Sequence, residues 1–198
     1  MLNPSLWVIG AEGDKEDDTM QTRTEKGGKN SEGPIGTGLV IERRFTTVGE
    51  DPFDQFDWIE MDVEIRNADG SLAHRIDDVR LPSGFSGVAG KVLAQKYLRK
   101  AGVPAILRKV KEKGVPTWLQ RSEPDHEKLQ SLDPEKRFIG ESHGRELFRR
   151  LAGTWTYWGW KHGYFEAEAD ARAYFDEMCY LIASQRSAPN SPQWFNTG

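Results

Sequence analysis

Ile59, Met61, Val63 and Ile65 alternate with Glu60, Asp62, Glu64 and Arg66 in one unbroken run. Successive side chains of a strand point to opposite faces, so this period of two predicts a strand with one buried and one wet face. The run ends at Asn67-Ala68-Asp69-Gly70, whose Asp-Gly pair suits a hairpin turn, and Ser71 to Val79 can pair back on it. A chain with this segment has to build a small antiparallel β unit and cover its inner face with other elements. Leu39-Val40-Ile41 and Phe45-Thr46-Thr47-Val48 read as further strand pieces ahead of it.

The cover reads as helical. Ser86 is a candidate N-cap for a helix from Gly87 to Lys100, with Val88, Val92, Leu93, Tyr97 and Leu98 on one stripe. A shorter helix is expected around Pro104 to Lys113. Residues 114–140, broken by Pro116, Pro124 and Pro134, read as a long loop. Two helices follow. In Ser142 to Lys161, Leu147, Leu151, Trp155 and Trp158 recur at helical spacing. In Glu166 to Arg186, Ala171, Phe175, Met178 and Ile182 do so, with Glu166, Glu168 and Asp170 near the positive end of the helix dipole. Gly163-Tyr164-Phe165 makes a short hinge, which predicts an antiparallel helix pair. The expected fold class is α+β, mainly helical, with a small N-terminal antiparallel β unit.

Apolar residues make up 37% of the 198-residue chain and the mean hydropathy is −0.68. The apolar deficit sits mostly at the front, where residues 10–34 carry almost no large apolar side chain. Such a stretch cannot bury enough surface to offset its ordering entropy, so residues 1–38 are expected to be a disordered leader and 39–198 the ordered domain. Trp7, Val8 and Ile9 form a small apolar island within the leader. The formal charge of −4, with acids and bases mixed, leaves no basic footprint for nucleic acid or an anionic membrane. A single cysteine, Cys179, excludes a disulfide framework and fits a reducing cytoplasm. No apolar stretch is long enough to span a bilayer, and Met1 to Gly13 lacks the pattern of a signal peptide.

Most candidate sites have a plain structural reading. Gly33-Pro34-Ile35-Gly36-Thr37-Gly38 lacks the strand, helix and Gly-Lys-Ser/Thr of a phosphate loop and reads as linker. Gly84, Gly87 and Gly90 have dinucleotide-loop spacing but no βαβ continuation, and read as a close-packed helix start. His74, His126, His143 and His162 show no metal-binding spacing, so no metal site is assigned. For His162, near a helix end, interaction with the dipole is the preferred account. Cys179 has no neighbour that would activate it and reads as a small buried hydrophobe. Helical packing accounts for Trp155 and Trp158 better than a base-stacking platform does. The acidic pairs Asp17-Asp18 and Asp77-Asp78 read as solvated surface.

The segment Pro189 to Gly198 is different. Two prolines, two asparagines and a glycine predict a loop rather than a helix or central strand, yet Trp194 and Phe195 argue that it is buried. Ser191 combines a hydroxyl and a free backbone N–H ahead of Pro192, which suits an anion, and Asn196 and Thr197 add polar groups beside the aromatic pair. On these residues alone, buried connector and ligand loop remain equally open.

Asn190-Ser191-Pro192-Gln193-Trp194-Phe195-Asn196-Thr197-Gly198 closely resembles a segment of the adenosylcobalamin-dependent, class II ribonucleotide reductases. The likeness extends upstream in order: Arg43-Arg44-Phe45-Thr46, Asp51-Pro52-Phe53-Asp54 with Trp58, Gln95-Lys96-Tyr97-Leu98-Arg99, Val115-Pro116-Thr117-Trp118-Leu119 and Gly163-Tyr164-Phe165. It covers about residues 39–198. The resemblance implies reduction of ribonucleotides to 2′-deoxyribonucleotides, for DNA synthesis, by a cysteine thiyl radical that cobalt–carbon homolysis initiates. It also implies deoxynucleotide effectors, a thioredoxin-like reductant and a ten-stranded α/β barrel into which this region leads. By the same resemblance Ser191 lies at the substrate phosphate end with Pro192 fixing its backbone, while Asn196 and Thr197 stand behind it. The chemistry needs several cysteines and a barrel carboxylate. One cysteine in another context cannot supply them, so no catalytic residue is assigned in this chain. The expectation is a front part of a larger enzyme, inactive alone. The alternatives are a split subunit or a non-catalytic interaction or regulatory module that keeps the fold.

Overall fold

The computed structural model describes residues 38–85 and 87–198. The alternating run becomes β1 (Trp58–Arg66), paired antiparallel with β2 (Leu72–Pro82). Val63 is fully buried, Ile59, Met61 and Ile65 are half-buried, and the four charged residues between and after them are exposed. The ladder runs from Trp58 opposite Pro82 to Arg66 opposite Leu72, with one extra residue on β2 between Ile76 and Val79. Asp78 takes a φ of 55° at this bulge, a conformation that Asp tolerates better than most residues. Asp77 is exposed there and pairs with Arg75, as a solvated surface requires.

The two short segments ahead of the hairpin form no strand. Leu39 makes one isolated bridge with Phe165. The amides of Phe45 and Thr46 donate instead to the Glu177 carboxylate, at 3.1 and 2.9 Å. A side chain thus takes the place of the missing strand partner. Of the leader expected over residues 1–38, residues 1–37, with the apolar island and most of the Gly-rich linker, lie outside the described residues; Gly38 is described, and its amide donates to the Glu166 carboxylate at 2.8 Å.

Beyond the hairpin, α1 (Val88–Lys96) docks through its small residues. Gly90, Leu93 and Ala94 face inward, followed by Leu98, whereas Val88 and Val92 are exposed. The expected stripe was therefore rotated. Its cause is close approach: a Cβ on Gly90 would stand 2.2 Å from the Phe85 carbonyl oxygen. Ser86, the expected cap, lies outside the described residues, and Gly87 occupies the N-cap without a side-chain bond.

The helix expected over Pro104 to Lys113 is replaced by strands. β3 (Val103–Pro104) pairs with β6 (Phe138–Ile139), and β4 (Leu107–Lys109) pairs with β5 (Ser122–Pro124), both antiparallel. Residues 114–140 are likewise not an unstructured loop. They hold 3₁₀ turns at Thr117–Leu119 and Pro134–Lys136, and α2 (His126–Gln130), whose first turn is capped by Asp125. Pro116 and Pro134 stand at the starts of the 3₁₀ turns, where proline's fixed φ is an advantage and its missing N–H no loss.

The two long helices match expectation: α3 (Gly144–Lys161) and α4 (Glu168–Ala183) pack together across the hinge. His143 caps α3 in a capping box with Glu146, and Asp170 accepts the Ala167 amide at the start of α4. Leu147 and Leu151 are buried and Trp155 packs against the core, but Trp158 is 50% exposed. The inner face at that level belongs to Gly159, against which the Phe165 ring lies, so the wider side chain turns outward. One continuous core joins Phe53, the inner face of the hairpin, α1, α3 and α4. Small antiparallel sheets and helices segregated along the chain make the fold α+β. No helix among the described residues is long and apolar enough to cross a membrane.

Candidate functional site

The segment that sequence reasoning treated as a loop contains α5 (Ser191–Asn196). Pro192 sits in its first turn, where an amide hydrogen is not needed, which is why two prolines do not forbid a short helix here. The segment is also less buried than its aromatic pair suggested. Trp194 and Thr197 are buried, Phe195 is 51% exposed, and Ser191, Pro192 and Asn196 are exposed. Trp194 and Thr197 anchor it, Pro189 and Gly198 are half-buried at its ends, and the others lie at the surface.

Tyr97, just past α1, holds one end. Its ring stacks on Trp194 with centroids 5.1 Å apart, and its hydroxyl lies 3.1 Å from Ser191 Oγ. The Trp194 indole N–H donates to the Pro189 carbonyl at 2.9 Å, closing the turn in front of the helix.

Arg150 of α3 holds the other end. Its side chain and that of Glu141 are 0% and 1% exposed, and Nε donates to Glu141 Oε1 at 2.9 Å. Nη1 donates to the carbonyls of Thr197 at 2.6 Å and Trp194 at 3.3 Å. Nη2 donates to Glu141 Oε2 at 3.2 Å and to the Tyr97 carbonyl at 3.4 Å. All five guanidinium hydrogens are therefore used, as a fully buried arginine requires. Glu141 also ties down the next residue pair: its Oε2 accepts the Arg99 amide at 2.9 Å and its own amide donates to the Arg99 carbonyl at 2.7 Å. The Arg99 guanidinium in turn donates to the Gly198 carbonyl. Burial, with Arg150 nearby, pulls the Arg99 pKa below the ordinary arginine value. Gly198 has a φ of 89°, and a Cβ there would stand 2.3 Å from Arg150 Cγ, so glycine is required twice over.

Of the four residues singled out from sequence, Ser191 meets a partner through its side chain, the Tyr97 hydroxyl. Pro192 and Asn196 are exposed neighbours on α5. Thr197 is buried and is held through its backbone: the amide donates to the Gln193 carbonyl and the carbonyl accepts from Arg150. Sequence reasoning missed Tyr97, Arg99, Glu141 and Arg150 as parts of this site. A signal for Arg150 existed. It falls three residues after Leu147 and four before Thr154, inside the apolar stripe of α3, and a charge in that position has to be paired. Glu141 lies in irregular chain before α3 and carries no such periodic mark.

The remaining candidates have structural roles. Cys179 is fully buried, and burial pushes its thiol well above the ordinary range. His143 Nδ1 accepts the Arg145 amide at 3.1 Å as the cap of α3. His162 ends α3 at its C-cap. Among the described residues there is no group of three or more His, Cys, Asp or Glu side chains that could hold a metal ion. Further ion pairs fasten the front of the chain to the helices. Asp51 takes Arg145 and Arg149, and Arg43 reaches Asp176 on α4 at 2.8 Å.

Fold and site together define an α+β module that seats a short polar helix on a buried arginine–glutamate pair. Residues 60–185 match the family described as class II vitamin B12-dependent ribonucleotide reductase. Over 160 residues, 81% of its length, the chain is 53% identical to a "Vitamin B12-dependent ribonucleotide reductase" of Bradyrhizobium diazoefficiens and 52% identical to one of Agrobacterium fabrum. It is 30% identical over 173 residues, 86% of its length, to a protein of the same name from Streptomyces avermitilis. The chain belongs to this family. It spans about 13% of the length of the first two relatives and 14% of the third. Two side chains that could ligate cobalt are committed elsewhere: His143 is spent on a helix cap and Cys179 is sealed in the core.

Proposed function

We propose that this chain is the N-terminal part of a cytoplasmic enzyme that reduces ribonucleotides to 2′-deoxyribonucleotides for DNA synthesis. In this reading residues 39–198 are a lead-in domain to a ten-stranded α/β barrel, and Pro189 to Gly198 begin the loop that receives substrate. The cofactor, adenosylcobalamin, initiates the radical when bound to the whole enzyme, and no residue of this chain is assigned to it. The rest of the reductase chain is the immediate partner; deoxynucleotide effectors and a thioredoxin-like reductant act on the complete protein.

One observation carries the reading. Two segments of family character more than 90 residues apart, Gln95 to Arg99 and Asn190 to Gly198, meet through Tyr97 on Trp194 and Ser191, and through Arg99 on Gly198. The contact leaves the Ser191 hydroxyl at the surface, on the outer side of a helix whose inner side is fixed. That is the disposition a group awaiting a phosphate oxygen needs, because its position is set before the ligand arrives. Ser191, with Pro192 holding its backbone, is the residue to bind the phosphate end, and Asn196 and Thr197 support the loop.

In full-length reductase, Ser191→Ala is expected to raise KM for the ribonucleotide by about tenfold, with a smaller effect on kcat, because the hydroxyl serves binding rather than bond breaking. Steady-state kinetics at varied substrate decides it. Unchanged KM and kcat would remove Ser191 from the site.

A further inference from the structure

We infer that Arg150, charge-balanced by Glu141, is a positioning residue for the substrate loop: it holds the loop backbone in one fixed place. This rests on the reading of Pro189 to Gly198 as a substrate loop. The geometry behind it is independent of Ser191. A single buried guanidinium bonds to the carbonyls of Trp194 and Thr197, one within the last turn of α5 and one at its end, and to the carbonyl of Tyr97. Tyr97 is the residue whose ring and hydroxyl meet Trp194 and Ser191. Arg150 thus clamps both partners of that contact from below, while Glu141 fixes Arg99, which reaches Gly198. A planar fork can serve several carbonyls and a carboxylate at once, whereas an ammonium on a flexible stem cannot hold the same set in one geometry.

The carbonyls at the end of α5 are groups that no helix satisfies internally. Water would satisfy them in a mobile loop. Here a fully buried cation does so, which costs desolvation of two charges, and the result is one defined loop position.

The test uses full-length reductase carrying Arg150→Met with Glu141→Gln, so that neither charge is left buried without its partner. Three quantities are measured: amide hydrogen exchange over residues 190–198, KM and kcat for the ribonucleotide, and the melting temperature. The expected result is a folded protein with faster exchange over 190–198 and KM raised about tenfold or more, while kcat falls less. If the double variant fails to fold, Arg150→Lys keeps the charge opposite Glu141, and faster exchange with raised KM is expected there too. Unchanged exchange over 190–198 in a folded variant overturns the inference, as does a loosened loop with unchanged KM. Ser191→Ala separates the two readings. If it leaves KM unaltered while the Arg150 variants raise it, the assignment of Ser191 fails and the clamp stands. If only Ser191→Ala raises KM, the clamp fails.

Discussion

At the scale of single residues, the chain commits its polar groups to holding backbone in place. His143 is the clearest case outside the loop. Its Nδ1 accepts an amide at the start of α3, which requires the neutral imidazole, and its ring lies 4.6 Å from that of Trp58. Burial, then the cations of Arg145, Arg80 and Arg149, lower its pKa from 6.5 to about 4. Folding therefore favours the neutral form, and the stabilisation is fully present above the unfolded pKa of about 6.5. It is lost progressively as pH falls from there toward about 4. Melting temperatures of the 198-residue chain measured across this window should fall, and His143→Asn, which keeps an uncharged cap, should flatten the fall. An equal slope in the variant would assign the titration to other groups. Arg150 shows the limit of residue-level reading in the opposite direction. Its position in the stripe of α3 marked it as buried, but nothing in the local sequence announced that its partners would be carbonyls 44 and 47 residues away.

At the scale of elements, periodicity was a sound guide where one face decides burial. β1 follows it residue by residue, β2 pairs back on it through a bulge, and α3 and α4 begin and end within a few residues of the expected limits. It misled where small residues make the contact. In α1 the valines looked like the inner face, but Gly90 and Ala94 let the helix approach the Phe85 backbone, and the valines point away. Replacing a helical glycine with alanine ordinarily adds about 0.5–1 kcal/mol of stability. Gly90→Ala should instead lower the melting temperature, because its Cβ would meet the Phe85 carbonyl oxygen at 2.2 Å and Met61 Sδ at 2.9 Å. A raised melting temperature would show that α1 shifts freely on the hairpin. Residues 103–139 were the least legible. Their strands are two or three residues long, too short for any period to register, and pair across 13 to 36 residues.

At the scale of the whole molecule, one core binds elements from Phe53 to Trp194, so hairpin, helices and candidate loop stand or fall together. Leu151, fully buried in α3, lies within it. Leu151→Ala should cost about 2–5 kcal/mol and shift a single cooperative transition. Circular dichroism and tryptophan fluorescence followed through the same thermal melt should report one midpoint; two midpoints would divide the core. The sequence by itself determined the β hairpin, the long helix pair, the burial of Cys179 and the family, because these rest on local alternation, on helical spacing and on a specific nonapeptide. Tertiary structure alone decided which face of α1 is buried, that Ser191 to Asn196 form a short helix within the closing segment, and that a buried arginine–glutamate pair seats it. The reason is physical. A local pattern records which side chains avoid water, whereas the partner of a buried charge or of an orphan carbonyl is chosen by whatever the fold brings within hydrogen-bond reach.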